Sequence, residues 1–366
     1  MRLLSVGLLV ASLSLVACDG PGPTTPPDDG DGAESLGPVD PLEAAAKKIA
    51  EGKPDEALAI VDAELATSPE DHELWFSKGV ALRELGKVDE AMAAWDEALS
   101  REPDFFGALH AKGAVFLERE AWNDAITTLN AAAQAKPDYA DVHYNLALAI
   151  LGASAAGARE GDGIDGATKA LSTAYDLDPK DVDVALALAD LHIKRNRLDD
   201  AAPLLDGAAR EKPDDPQIAA AQGRLALKRG DGQGALTAFE RALAKSPGDA
   251  GFELGHAQAL LRLNRSAEAE AELAALSKKA PESAVVWLEW GTALAKQGKL
   301  KPALEKMDEA VRRGPHLISA QVRRIGLLSD LGRCKDAKAA LGTLRKTTRA
   351  PGALKVAEGA VAGCKR

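Results

Sequence analysis

Histidine, cysteine and paired carboxylates are the side chains best able to hold a metal, attack a carbonyl or move a proton. Here their spacing serves none of these. The six histidines stand at His72, His110, His143, His192, His256 and His316. None belongs to an H-E-x-x-H run or an i, i+4 pair, so no helix face offers two imidazoles to one ion. The chain has no G-x-S-x-G, no Walker A motif and no G-x-G-x-x-G between a strand and a helix. The Asp-Asp-Gly-Asp-Gly run at 28–32 lacks the spacing and closing glutamate of a calcium loop. Three cysteines, Cys18, Cys334 and Cys364, are too few to staple 366 residues into a disulfide scaffold. No catalytic or metal residue, cofactor or small-molecule substrate is therefore expected.

The elements that carry these residues come from composition and repetition. Hydrophobic residues make up 46% of the chain, which excludes disorder, and aromatics only 4%. A net charge of -11 argues against nucleic-acid binding. Prolines recur at 69, 103, 137, 179, 213, 247, 281 and 315. Alanines recur in step at 57, 91, 125, 167, 201, 235, 269, 303 and 337. Both series advance by 34 residues, with one shared step of 42. A period of this length means stacked supersecondary units and a single continuous core.

Residues 72–105 display the unit. Trp75, Gly79 and Leu82 fall on one helix face, and Gly86 suits a left-handed helix end. Asp89 and Glu90 then open a second helix, whose buried face is Val88, Ala91, Trp95 and Ala98. Each unit is a helical hairpin. Gly79 and Ala91 are read as the place where its two helices cross closely.

Trp75, Gly79, Leu82, Ala91, Trp95, Ala98 and Pro103 resemble, at the same spacing, the tetratricopeptide repeat (TPR) pattern. The resemblance implies an all-α, right-handed superhelical solenoid of about nine hairpins over residues 42–366, with a C-terminal capping helix in 352–366. Leu354, Val356, Ala357 and Val361 are available to cover the end. The fourth repeat, 140–181, holds eight extra residues. These extend either both helices by a turn or the loop between them, and the glycines from 152 to 166 favour the loop.

In arrays of this kind the first helix of each unit lines a concave groove. The resemblance carries that role to Phe76, Val80 and Arg83, then to His110, Ala114 and Leu117, then to Tyr144, Asn145, Leu148 and Leu151. It continues through Leu186, Asp190, Arg224, Lys228, Gln258, Arg262, Thr292 and Lys296. The early groove is apolar and aromatic, and the later groove polar and basic. The Lys/Asn/Arg clamp of carboxylate-binding members is not matched, since Phe76, Val80 and Ala111 occupy its places.

The turn between the ninth unit's second helix and the cap falls near Ala350. Cys334 and Cys364 lie 16 and 14 residues from it, so an antiparallel pairing brings them level. In an oxidising compartment they are expected to form a disulfide. Two free thiols, or a metal site for which no further ligands appear, are the alternatives.

The compartment is read from the N-terminus. Residues 1–17 have a positive start at Arg2 and an apolar run too short to span a bilayer comfortably. Leu15-Val16-Ala17-Cys18 resembles the bacterial lipobox, which implies a lipoprotein signal peptide and a lipid on Cys18; plain secretion is the alternative. Residues 18–41 follow as a Pro-, Gly- and Asp-rich tether, about 60–70 Å long if extended. The protein is thus placed in the bacterial cell envelope, lipid-anchored and on the periplasmic side. Asp19 resembles an inner-membrane retention signal in enteric bacteria only, which leaves the membrane open.

Charge is divided along the chain. Residues 1–183 carry 14 basic and 34 acidic side chains, and residues 184–366 carry 31 and 22. The function expected is an envelope-anchored scaffold or assembly factor that binds protein partners in its groove. Regulation of peptidoglycan enzymes is the alternative.

Overall fold

The computed structural model describes residues 40–156, 162–348 and 350–364. Cys18, the signal peptide expected at 1–17 and most of the tether expected at 18–41 lie outside them. Every regular element among the described residues is an α-helix. The chain divides into two compact units at Ala170/Leu171.

The first unit is built from α1 (Pro41–Ala50), α2 (Pro54–Leu65), α3 (His72–Glu84), α4 (Val88–Arg101), α5 (Phe106–Glu118), α6 (Trp122–Ala135) and α7 (Ala140–Ala155). The division falls within α8 (Asp162–Leu177). The second unit continues with α9 (Val182–Lys194), α10 (Leu198–Glu211), α11 (Pro216–Arg229), α12 (Gly232–Lys245), α13 (Ala250–Arg262) and α14 (Ser266–Lys279). It ends with α15 (Ala284–Lys296), α16 (Leu300–Arg313), α17 (Ile318–Asp330), α18 (Cys334–Thr347) and α19 (Pro351–Ala362).

The hairpin turn obeys one backbone rule. Gly52, Gly86, Glu120, Asn196, Gly230, Asn264, Gly298 and Gly332 all have positive φ, between 55° and 83°. They occupy one repeat position, spaced by 34 residues except across the enlarged fourth repeat. A left-handed residue there ends the first helix and starts the reversal.

Small residues admit bulky ones across each hairpin. A Cβ on Gly79 would lie 2.2 Å from Trp95 Nε1, and the same clash recurs at Gly113 with Leu129 and at Gly223 with Phe239. The partner of Gly79 is therefore Trp95 rather than Ala91. Trp95 is fully buried and donates its indole N–H to the Phe76 carbonyl at 3.2 Å.

Proline carbonyls provide a second repeated fastening. Trp75 Nε1, His143 Nε2 and Trp287 Nε1 each bond the carbonyl of the proline six residues earlier, at 2.8 Å. A carbonyl only accepts, so His143 carries its proton on Nε2.

The fourth repeat departs from the expected loop. α7 and α8 each have 16 residues, against 13 and 14 in most other hairpins. Five of the eight extra residues thus lengthen helices. Trp122 packs on Gly152, the thirteenth residue of α7, and the helix runs three residues beyond it.

At the C-terminus, Ala357 is buried against Ile325, Leu341 and Leu344, with Leu354 and Val361 partly covered. Val356 does not join them: it is 62% exposed, because it lies on the opposite face of α19. Cys334 and Cys364 form a disulfide with Cα atoms 5.5 Å apart.

Candidate interaction surface

Within each unit first helices approach first helices: α1 with α3, α5 with α7, α9 with α11, and α11 with α13. Successive second helices have no comparable approach among the described residues. Each unit is therefore tighter on its first-helix side, and that side is its inner face. The groove residues read from the sequence, Thr292 excepted, lie there, in two groups treated separately below.

In the first unit, α3 presents Phe76, Val80 and Arg83, α5 presents His110, Ala114 and Leu117, and α7 presents Tyr144, Asn145 and Leu148. All are half-buried. Around them the helix starts gather aromatic rings. Phe105 packs edge-on to His72 and Phe76, with centroids 4.8 and 5.4 Å away. Phe106 stacks on His110 at 5.5 Å, and Tyr139 packs edge-on to both. Lys136 lies over the Phe106 and Tyr139 rings, an attraction of the ammonium for their negative faces.

Polar groups in this stripe are held rather than free. Asn145 Nδ2 donates to His110 Nε2 at 3.3 Å, which requires a neutral ring with its proton on Nδ1. Burial lowers the His110 pKa; Arg83 lowers it further and Asp141 opposes. Burial likewise raises the Tyr139 phenol. Arg83 pairs with Glu118 at 2.5 Å.

Phe105 and Tyr139 were not among the residues expected from the sequence. Both sit at the helix N-cap, where Asp71, Asp181, Asp215 and Asp249 accept backbone N–H groups in other repeats. Comparison of that one position along the repeats would have found them, since an aromatic residue is a poor cap.

The second unit's inner face is polar. On α9, Leu186 is half-buried and Asp190 pairs with Lys194 at 2.6 Å and Arg224 at 3.5 Å. Lys228 and Arg262 are exposed. Gln258 donates to Glu289 at 3.1 Å. Burial raises the Glu289 pKa, with the Gln258 bond opposing. Thr292 does not line this face: it is 6% exposed, and its hydroxyl donates to the Leu288 carbonyl inside its own helix.

Among the described residues no cluster of three or more His, Cys, Asp or Glu side chains is placed to hold a metal ion. What the faces offer is area, rings and fixed charges, the means of binding another macromolecule.

Models of the tetratricopeptide repeat match residues 43–105, 163–225 and 226–288, and a further TPR repeat model matches 113–152. Together they span more than half of the chain. A tetratricopeptide repeat protein from Parabacteroides merdae is similar at 15% identity, over 66% of this chain and 93% of that one, with a TM-score of 0.53. A chain of the APC/C hetero-tetramer Cut9-Hcn1 is similar at 18% identity, over 76% of this chain and 54% of that one, with a TM-score of 0.52. These likenesses establish the fold. Curated protein sequences gave no match.

Proposed function

We propose that this chain, which belongs to the tetratricopeptide repeat family, is an envelope-anchored scaffold that binds partner proteins on the inner faces of its two units. The observation that carries this reading is a contrast within the repeat. Packing positions keep their character: Trp95, Leu129, Leu171, Leu205 and Phe239 are all bulky and buried. Inner-face positions do not: Phe76, His110, Tyr144 and Leu186 share one repeat position, as do Val80, Ala114, Leu148, Asp190 and Arg224. Only half-buried, these side chains are not dictated by the core, and their variation makes each stretch of the face chemically distinct.

Anchoring in this reading comes from lipid on Cys18. Among the described residues no helix is long and apolar enough to cross a membrane. Several acyl chains on one residue hold a protein at a bilayer without spanning it. The tether then sets the repeats off from the surface, where they gather components of an envelope assembly.

Two measurements test the proposal. Cys18→Ser is expected to move the protein from the membrane to the soluble fraction; a variant that stays with the membrane contradicts the anchor. Leu148→Arg puts a charge on the first unit's face without touching a fully buried position. It is expected to abolish partner co-purification from crosslinked envelopes while helicity stays unchanged. Undiminished recovery contradicts the binding face.

A further inference from the structure

The second unit's inner face carries a row of cations one repeat apart. Lys194, Lys228, Arg262 and Lys296 lie in the last turns of α9, α11, α13 and α15, at steps of 34 residues. All four are exposed. A cation at a helix C-terminus complements the dipole, which is the plain reason to find one there. The first unit shows that the fold does not demand it: the same repeat position holds Glu84 and Glu118.

The row is also short of counter-charge. Lys194 pairs with Asp190. Arg262 reaches only the Gly230 carbonyl, at 3.4 Å, and Lys296 donates to the Leu261 carbonyl and the Asn264 side chain, at 2.9 Å each. Among the described residues Lys228, Arg262 and Lys296 have no carboxylate partner.

We propose that this row binds an acidic, extended segment of a partner protein in polyproline-II conformation, with a carboxylate at every third residue. The inference rests on the inner-face reading above and adds the partner's chemistry. Neighbouring first helices α9, α11 and α13 approach one another in turn, and packed helices lie about 8–10 Å apart, which sets the expected spacing of the rungs. A polyproline-II chain has three residues per turn and rises about 3.1 Å per residue, so its every third side chain returns to one side about 9 Å on. A β-strand repeats a side every two residues, about 6.6 Å, and misses the rungs. A protein segment fits better than a uniform polyanion because half-buried Leu186 and Leu227 beside the row offer apolar contact.

The test is titration of the full chain in detergent with labelled twelve-residue peptides. One peptide has Glu at every third position with Pro and Ala between. A second has the same number of Glu at every second position, and a third has Lys in place of Glu. A charge-matched oligonucleotide stands for a generic polyanion. The every-third Glu peptide is expected to bind at least about tenfold more tightly than the others. Lys228→Glu with Arg262→Glu, the residue type that ends α3 and α5 at this repeat position, is expected to weaken it at least about tenfold and to admit the Lys peptide while helicity stays unchanged.

Equal affinity for the oligonucleotide, or an affinity unmoved by the double reversal, overturns the inference. Its failure is separable from failure of the inner-face reading. If a photo-crosslinker at Leu186 captures the partner while the acidic peptides do not bind, the face stands and the charge inference falls. If peptides fail and crosslinks arise only from second-helix positions, both fall.

Discussion

Single residues in this chain are set by backbone angle and by what lies one helix away. Glu120 takes φ 55° where five of the other seven hairpin turns have glycine. A side chain in that region costs free energy that glycine avoids. Glu120→Gly is therefore expected to stabilise the protein by about 1 kcal/mol, read as a rise in the urea midpoint; a fall contradicts the turn rule. Gly79→Ala should destabilise by about 2 kcal/mol or more, because the new methyl meets the buried Trp95 ring.

His256 gives a pH dependence of known sign. Its Nδ1 lies 2.9 Å from Glu272 on α14, and its Nε2 lies 4.0 Å from Glu240 on α12. The Glu272 bond raises its pKa above the ordinary histidine value; burial and Arg265 oppose, and Glu240 assists. A raised folded-state pKa contributes stability that is fully present below the unfolded value of about 6.5 and lost as pH rises through the folded value. His256→Gln is expected to lower stability at pH 6 and to cost little at pH 8.5. Equal losses at both pH values contradict the pairing. His110, whose pKa burial lowers, has the opposite sign: its contribution is lost as pH falls below about 6.5.

At the scale of elements, the 34-residue period was legible because proline and alanine positions are spaced by geometry alone. The hairpin and the left-handed turn at Gly86 followed from one clear unit, residues 72–105, whereas the seating of Trp95 on Gly79 did not. Other features were hidden for physical reasons. The glycines between 152 and 166 pointed to a loop, yet α7 runs on to Ala155 and α8 also has 16 residues. The aromatic character of the early groove was legible, but Phe105 and Tyr139 were missed because they replace caps, and a cap position reads as punctuation rather than surface. Val356 was misplaced because the register of a short, weakly patterned helix is poorly marked.

The cap yields its own prediction. The Cys334–Cys364 bond closes a loop of 30 residues, a constraint on the unfolded chain of about 3–4 kcal/mol by loop entropy. In a repeat array each element leans mainly on its neighbours, so the loss is local. Cys364→Ser should make α18 and α19 the first segments to exchange amide hydrogens, with the first unit unaffected. Uniform loss of protection across both units contradicts a local clasp.

For the whole molecule, the acidic mean charge conceals two populations: an acidic excess before residue 183 and a basic excess after it. The inner faces follow suit, with rings and paired charges in the first unit and, in the second, a cation row of which only Lys194 has a carboxylate partner among the described residues. Fold class was readable in full from repetition. The chemistry of the binding faces was readable only in outline, because half-buried positions carry no periodic signal of their own.

The central claim is that partners dock on first-helix faces. The direct measurement is photo-crosslinking in living cells, with the reactive residue placed at Leu148 and Lys228 on inner faces and at Asn130 and Arg210 on exposed second-helix positions. The account predicts discrete, reproducible adducts from Leu148 and Lys228 and none from Asn130 and Arg210. Adducts confined to Asn130 and Arg210 would contradict it.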